Sequence, residues 1–385
     1  MYMKSFQYKF ILLFVLLTGC FVQLSGADKK DKKHPAKVEI LSPDGPYLLY
    51  TDDGGMRSIS VDKKGHLLDK TYKSVLAGFS FDVYSDKGEK LFPVSLHPVK
   101  RPEWKIGEAE KMIVLSDPHA NWECFSSILK EWNVIDKDYR WSFGKNHLVI
   151  IGDVFDRGKD VLPIYWLLYK LEKEAADAGG CMTFLLGNHE TMVLGGDLRY
   201  TKKKYLHLAD TLHIPYQELW NKQTELGRWL ATRNTMQLIG DDLFVHAGLS
   251  LQLFEKDKSI PEINDIMSEG LFLTKDERKK ASGDIAFMFA TYGPVWYRGM
   301  VHSADRYHPL YPEDLPKIFD KYEAKRLFVG HTIFDDITTF YNYRVIAVNV
   351  DNKENMEKKR GRGVLVENGQ LYIIYDSGEK KLISE

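Results

Sequence analysis

The sequence predicts a layered α/β fold with a small all-β module at its amino-terminal end, and three observations predict it. From near Ile106, short apolar runs of strand length alternate with longer stretches of helical period, the pattern of a sheet covered by helices. Several of these runs stop abruptly in glycine, carboxylate and imidazole residues, as strands do where an open α/β sheet assembles a site along one edge. Between residues 38 and 105 the runs are short or alternating and are broken by polar, glycine-bearing turns, which reads as hairpins.

The chain divides accordingly. Residues 1–27 hold Lys4 and Lys9, the apolar run Phe10 to Leu17 and then small residues, the three-part pattern of a secretory signal. That run is too short to be read as a membrane span. Leu17-Thr18-Gly19-Cys20 resembles the bacterial lipoprotein box, in which Cys20 would be lipidated, and Ser25-Gly26-Ala27 equally suits an ordinary signal peptidase. Either route exports the mature chain to the periplasm or cell envelope. Residues 28–37 form a charged, lysine-rich linker without apolar period. In the module at 38–105, Tyr47-Leu48-Leu49-Tyr50 and Ser58-Ile59-Ser60-Val61 flank Asp52-Asp53-Gly54-Gly55, and Asp62 to Gly65 closes the second run. No cluster of ligand-type residues lies there, so it reads as a packing or docking module beside the main domain, 106–385.

The main domain supplies its elements in order. Met112-Ile113-Val114-Leu115 is a buried strand entering Ser116-Asp117-Pro118-His119-Ala120-Asn121. Leu148-Val149-Ile150-Ile151 enters Gly152-Asp153-Val154-Phe155-Asp156-Arg157-Gly158. Asp160 to Ala178 has an apolar face at Val161, Ile164, Leu167, Leu168 and Leu171, with Asp160 as its cap, Pro163 in its first turn and Gly179-Gly180 as its stop. Met182 to Leu186 enters Gly187-Asn188-His189-Glu190. Arg199 to Thr235 is charged and aromatic and reads as helices that partly cover the site, with Leu219, Trp220, Leu226, Trp229 and Leu230 as an apolar face. Leu243-Phe244-Val245 then leads into His246-Ala247-Gly248, and Leu327-Phe328-Val329 into Gly330-His331-Thr332. Arg344 to Val350 and a hairpin about Glu367-Asn368-Gly369 complete the domain.

Composition narrows the function. With 53 basic and 54 acidic residues the net charge is -1, so no global field favours nucleic acid or an anionic membrane, and phosphate recognition has to be local. Three cysteines are too few for a disulfide framework, and Cys124 and Cys181 read as buried thiols. The strand-end residues carry the chemistry. A pair of divalent ions needs a bridging anion and terminal ligands on both sides. Asp117 and His119 can chelate one ion, Asp153 can bridge, and Asn188, His246 and His331 can complete a second site. Imidazole, carboxylate and an amide oxygen suit manganese, iron or zinc.

Ser-Asp-Pro-His-Ala-Asn, Gly-Asp-Val-Phe-Asp-Arg-Gly, Gly-Asn-His-Glu, His-Ala-Gly and Gly-His-Thr, in this order, resemble the calcineurin-like metallophosphoesterase superfamily. The Asp-Arg-Gly and Asn-His-Glu segments resemble its phosphoprotein phosphatase branch. Gly195 to Tyr200 and Gly293-Pro294-Val295-Trp296-Tyr297-Arg298-Gly299 are similar to bacterial-type Shewanella-like protein phosphatases. The resemblance spans roughly Ile106 to Asp351. It implies a β-sandwich flanked by helices, and two divalent ions held by Asp117, His119 and Asp153 on one side and Asp153, Asn188, His246 and His331 on the other. It further implies a bridging hydroxide that attacks phosphorus in line, Arg157 and Arg298 gripping phosphoryl oxygens, and His189 protonating the leaving oxygen with Asp156 orienting it. Ser116 and Ala120 stand where glycines commonly flank the first Asp-x-His, and Ala247 replaces a glycine, which bears on substrate preference more than on metal binding. The expected substrate is phosphorylated protein or a small phosphate ester, including phosphotyrosine, on whose ring Tyr200, Trp296 and Tyr297 can stack. A phosphodiesterase or nucleotide phosphatase on the same metals, and a surface binding module, are the competing readings.

Overall fold

The computed structural model describes residues 40–383 apart from 76–77, 352–353, 355–356 and 358–360. The signal, Cys20 and the linker at 28–37 therefore lie outside the described residues.

Three amino-terminal strands, β1 (Asp44–Tyr50), β2 (Met56–Val61) and β3 (Leu67–Tyr72), form an antiparallel sheet, and β4 (Ser80–Tyr84) pairs with β5 (Lys90–Ser95). Their turns follow from their residues. Gly54 adopts φ +80° and donates its N–H to Thr51, while the Asp62 carboxylate accepts the N–H groups of Lys64 and His66 to close the next turn.

The chain then runs β6 (Lys105–Ile106), β7 (Lys111–Leu115), α1 (Trp122–Glu131), β8 (His147–Ile150), α2 (Val161–Asp177), β9 (Cys181–Phe184) and α3 (Asn188–Leu194). Next come α4 (Lys203–Leu212), α5 (Glu225–Ala231), β10 (Met236–Ile239), β11 (Asp242–Val245), α6 (Leu251–Glu255), α7 (Ile260–Gly270), α8 (Lys275–Ala281) and α9 (Gly283–Met288). The last elements are α10 (Leu315–Lys321), β12 (Arg326–Val329), β13 (Thr338–Phe340), β14 (Val345–Ala347), β15 (Arg362–Glu367), β16 (Gln370–Tyr375) and β17 (Lys380–Leu382).

Two six-stranded sheets result, ordered β17-β16-β15-β7-β8-β9 and β13-β14-β12-β11-β10-β6. Strand alternation divides their side chains among three cores. Met112, Val114 and Val149 of the first sheet meet Phe244, Phe328 and Ile346 of the second, so the sheets pack face to face. The alternate residues Ile113, Leu115, Leu148 and Ile150 share a core with α1 and α2. On the far side Leu243, Val245, Leu327 and Val329 pack with Ile263 of α7 and Ile318 of α10. This is the expected helix-flanked sandwich. β7, β8 and β9 are mutually parallel, as are β11 and β12, so their carboxyl ends fall together within each sheet.

Helix α2 departs from the expected amphipathic face. Every residue from Val161 to Leu171 is buried, because the strands from the 38–105 segment lie against the side that would otherwise meet water. Trp166 donates its indole N–H to Pro46, and Tyr47, Ile59, Val83 and Phe92 belong to the same apolar core as α2. Full burial of a leucine such as Leu167 or Leu168 stabilises the fold by about 1.5–3 kcal/mol, so this helix is a main prop of the first sheet. Residues Ile40–Glu385 form one compact unit. Asp160 sits at the amino-terminal cap position, but its carboxylate accepts the N–H of Asp86 instead of one from its own helix.

The Arg199–Thr235 segment is helical in part but is core more than cover. Trp220 packs against Phe155 and Tyr165 at 4.6 and 5.4 Å, and Leu219, Leu226, Trp229 and Leu230 are buried with it. Cys124 and Cys181 are thiols not joined by a disulfide; Cys124 is buried and Cys181 half-buried. Among the described residues no helix is long and apolar enough to cross a membrane.

Candidate metal centre

The loops that leave β7, β8 and β12 turn sharply. Asp117, His119, Asp153, Asp156, Arg157 and His331 all have φ between 42° and 70°, a left-handed backbone that side-chain-bearing residues rarely adopt. Strain collected in this way marks a place where the surrounding structure holds residues for a task. Close approach explains one glycine in particular: a Cβ on Gly330 would lie 1.9 Å from the Ser116 hydroxyl oxygen and 2.5 Å from Asp117 Oδ2.

Two ligand groups share Asp153. His119, Asp153 and His189 form one, and Asp153, His246 and His331 the other, with ligand atoms within 4.8 Å of each other in each group. Asp153 Oδ2 lies 3.3 Å from His246 Nε2, 3.8 Å from His119 Nε2 and 3.9 Å from His189 Nε2. Backbone carbonyls orient two of the rings: His246 Nδ1 pairs with Ile151 O at 2.7 Å and His119 Nδ1 with Phe155 O at 2.9 Å, which leaves each Nε2 facing inward. Asn188 Oδ1 lies 3.0 Å from His246 Nε2, so the amide oxygen also points to the centre. Asp117 belongs to neither group; its Oδ2 accepts the Ser116 hydroxyl and, at 3.1 Å, the backbone N–H of His331.

The donor set fits divalent metal. His331 Nε2 is buried with no hydrogen-bond partner among the described residues, a lone pair aimed into the centre. Burial pushes the pKa of His119 down to about 3, and burial with the neighbouring His246 charge holds His331 well below its usual range, so both rings are neutral donors. Burial raises Asp117 to about 7. Burial opposes charge on Asp153, yet His246 and His189 hold its pKa well below the carboxylate range. Burial likewise opposes charge on His246, but the carboxylates of Asp153 and Asp117 raise it to about 9.

His189 is held from both ends. Its Nδ1 lies 2.6 Å from Asp156 Oδ2, and Asp156 Oδ1 accepts the Thr201 hydroxyl at 2.9 Å. Arg157, exposed at the mouth, brings Nη2 to 3.5 Å from His189 Nε2. Arg298 is fixed by Thr332 Oγ1 at 2.8 Å and His331 O at 3.2 Å. Its loop is tied to the centre because Ala247 and Gly248 both donate to Pro294 O. Tyr200 is 48% exposed with its ring 5.4 Å from His189, and Trp296 stands edge-on to His331 at 5.8 Å. Tyr297 corrects an expectation: it is 2% exposed and donates its hydroxyl to His308 O, so it is core and cannot stack on a substrate.

Glu190 is the residue that sequence reasoning passed over. It is fully buried, and its carboxylate accepts the N–H groups of Gly187, Asp153 and Val154 at 2.7, 2.8 and 2.9 Å and the Tyr165 hydroxyl at 2.7 Å. It staples the two ligand loops after β8 and β9 together. The available signal was its position three residues after Gly187, where a glutamate returns to cap its own helix.

Residues 111–334 match the calcineurin-like phosphoesterase family. The chain is 30% identical over 228 residues to Shewanella-like protein phosphatase 1 of Plasmodium berghei, covering 58% of this chain and 61% of that protein. It thus spans about three-fifths of that relative's length. It is 27% identical over 328 residues to Shewanella-like protein phosphatase 2 of Arabidopsis thaliana, covering 70% and 80%. Among solved structures it is similar to a cold-active protein tyrosine phosphatase of a psychrophilic Shewanella species, with 29% identity, TM-score 0.79, and coverage of 89% of this chain and 99% of that one. A family match over more than half of the chain agrees with the paired ligand groups at the strand ends, and the chain belongs to the calcineurin-like phosphoesterase family.

Proposed function

We propose that the protein is an exported two-metal phosphomonoesterase acting on phosphorylated protein, with phosphotyrosine as its favoured residue. The observation that carries this reading is the pairing of a bridging carboxylate, Asp153, with a histidine whose outer nitrogen is locked by Asp156. Asp117, His119 and Asp153 would hold one ion, and Asp153, Asn188, His246 and His331 the other. Two divalent ions there, manganese, iron or zinc, would polarise the phosphoryl group and lower the pKa of a coordinated water.

The remaining residues act on the ester itself. Arg157 and Arg298 bind phosphoryl oxygens, as the planar guanidinium suits them. Hydrolysis forms a bond from water oxygen to phosphorus and breaks the bond to the leaving oxygen, which takes its proton from His189 Nε2. Asp156 accepts the Nδ1 proton and, against burial, favours with Asp153 the doubly protonated ring, whose second proton on Nε2 faces the ester. Tyr200 lies where an aryl leaving group would stack, which supports phosphotyrosine, as does the similarity to tyrosine phosphatase structures.

The test is hydrolysis by chelator-stripped protein with manganese, zinc or iron restored. Metal-dependent release from p-nitrophenyl phosphate, with little from bis-p-nitrophenyl phosphate, is the expected result. Release mainly from the diester would make the protein a phosphodiesterase, and no turnover by folded protein with any of these metals would sink the enzymatic reading. In the same assay His189→Asn should slow phenyl phosphate about 10²-fold, and p-nitrophenyl phosphate less, because the better leaving group needs no proton. Equal slowing of both would remove the acid role.

Export rests on the amino-terminal pattern of Lys4, the run to Leu17, and Cys20 or Ala27. Cys20→Ser should release the protein from the membrane fraction if the lipid route is used; unchanged fractionation with soluble mature protein would favour cleavage near Ala27, and cytoplasmic retention of wild type would end the proposal.

A further inference from the structure

Beside the metal centre a cleft of about 520 Å³ extends between α3, α8, α9 and the Arg298 loop. Trp296 and Arg298 line it and also touch His331, so cleft and centre are continuous. The cleft's charge is unlike that of the whole chain. Six cationic side chains line it, Arg199, Lys275, Arg278, Lys279, Arg298 and Arg306, against one carboxylate, Asp197, although the chain as a whole has 53 basic and 54 acidic residues.

That single carboxylate is already engaged, since Asp197 accepts from Arg199 at 2.5 Å. Lys279 has the exposed Asp276 at 3.2 Å. Among the described residues the others make no close ion pair, although Lys275 also acts on Asp197 from a distance and Arg298 feels Asp117 and Asp153. Arg278 is 9% exposed and spends its donors on backbone, with Nε to Gly270 O and Nη2 to Thr191 O and Leu271 O. Burial lowers its pKa to about 10, which leaves it charged at neutral pH. Its guanidinium also lies over the Phe289 ring at 3.9 Å, and a buried guanidinium met by carbonyl dipoles and an aromatic face, with no carboxylate, keeps its net charge beside the cleft. Arg306 is exposed, stacked on the Tyr307 ring at 4.7 Å, and Lys275 is exposed at the rim. Phe289 and Ala290 add an apolar wall on which a peptide backbone can lie.

We propose that this cleft binds acidic residues flanking the phosphorylated residue, so that the enzyme selects acidic phosphopeptides; this rests on the phosphomonoesterase reading above. Scissile phosphate at the centre would place neighbouring aspartate or glutamate side chains beside Arg306, Lys275 and Lys279, with Arg278 supplying field from below. An exposed ion pair alone contributes little, so selectivity comes from several acting in one concave, partly desolvated place.

The experiment compares metal-loaded full-length protein on phosphotyrosine peptides of equal length whose flanking residues are glutamate, glutamine or lysine. The expected order is glutamate, glutamine, lysine, with kcat/KM about tenfold higher for glutamate than for glutamine and the difference shrinking as salt is raised. Lys275→Glu with Arg306→Glu, both exposed and outside the metal-ligand set, should bring the glutamate-to-glutamine ratio to one or below. Arg306→Lys should keep it above one. Equal kcat/KM for the three peptides, with p-nitrophenyl phosphate still hydrolysed, would overturn the cleft assignment and leave the phosphatase standing. A glutamate preference untouched by the double reversal would also overturn it. Failure to hydrolyse any phosphomonoester would instead overturn the reading on which it rests.

Discussion

Asp153→Asn is expected to abolish metal-dependent turnover in a protein that still folds. Asp153 is 2% exposed and is the one residue common to both ligand groups, with Oδ2 within 3.3 to 3.9 Å of three imidazole nitrogens. Its Oδ1 accepts the His189 backbone N–H at 2.9 Å. Asparagine keeps a carbonyl oxygen for that bond and nearly the same volume, so the local backbone has no reason to collapse. The charge is lost, and with it the anion that two adjacent cations need between them. His246, raised to about 9 chiefly against burial by Asp153 and Asp117, loses part of its counter-charge as well. Activity should fall at least about 10³-fold, at the upper end of what deleting one preorganised electrostatic contact costs. Metal analysis of the folded variant should show fewer than two ions per chain. A variant that holds two ions and turns over near the wild-type rate would refute the bridging assignment.

Much of this site was legible in the sequence because its signal is local. Asp117, His119, Asp153, Asn188, His246 and His331 each follow an apolar run within a few residues, and a change from buried strand to ligand-type residue needs no knowledge of what lies across the sheet. The same holds for the hairpin at Glu367 to Gln370. What escaped is long-range. Nothing in the period of β15 says that it lies beside β7, some 250 positions earlier, or that β6 joins the edge of the other sheet. Burial of α2 from Val161 to Leu171 depends on strands more than sixty residues away, and its polar atoms look solvent-facing until Pro46 and Glu225 are seen to receive them. Tyr297 and Trp296 are neighbours of the same type in sequence, yet one is core and the other faces the site, because only the turn around Arg298 decides which way each ring points. The basic cleft escaped for a related reason: Arg199, Lys275 and Arg306 are widely spaced in a chain whose net charge is -1.

Glu190→Ala is expected to cost about 3–5 kcal/mol of stability and to weaken metal binding although Glu190 is not a ligand. Its two oxygens satisfy the N–H groups of Gly187, Asp153 and Val154, a longer contact from Phe155 N at 3.4 Å, and the Tyr165 hydroxyl, all in a place closed to water. Each buried donor left unpaired costs about 1–3 kcal/mol, though relaxation and entering water recover part of the sum. The loops it joins hold Asp153 and Asn188, so loosening them lets the bridging carboxylate shift against its neighbouring ligands, with the Asp153 bond to the His189 N–H left to tie the loops. Glu190→Gln separates the two roles. It retains one acceptor and the volume but turns an N–H group toward backbone N–H donors, and should lie between wild type and alanine. Tyr165→Phe removes only the hydroxyl and should cost about 1 kcal/mol, with metal affinity unchanged. Denaturant midpoints and metal titrations of the three variants give the order alanine, glutamine, phenylalanine in both measurements if the staple couples fold to site. Destabilisation of Glu190→Ala with undiminished metal affinity would show that Glu190 supports the core alone, and wild-type stability would show that its buried donors find other partners.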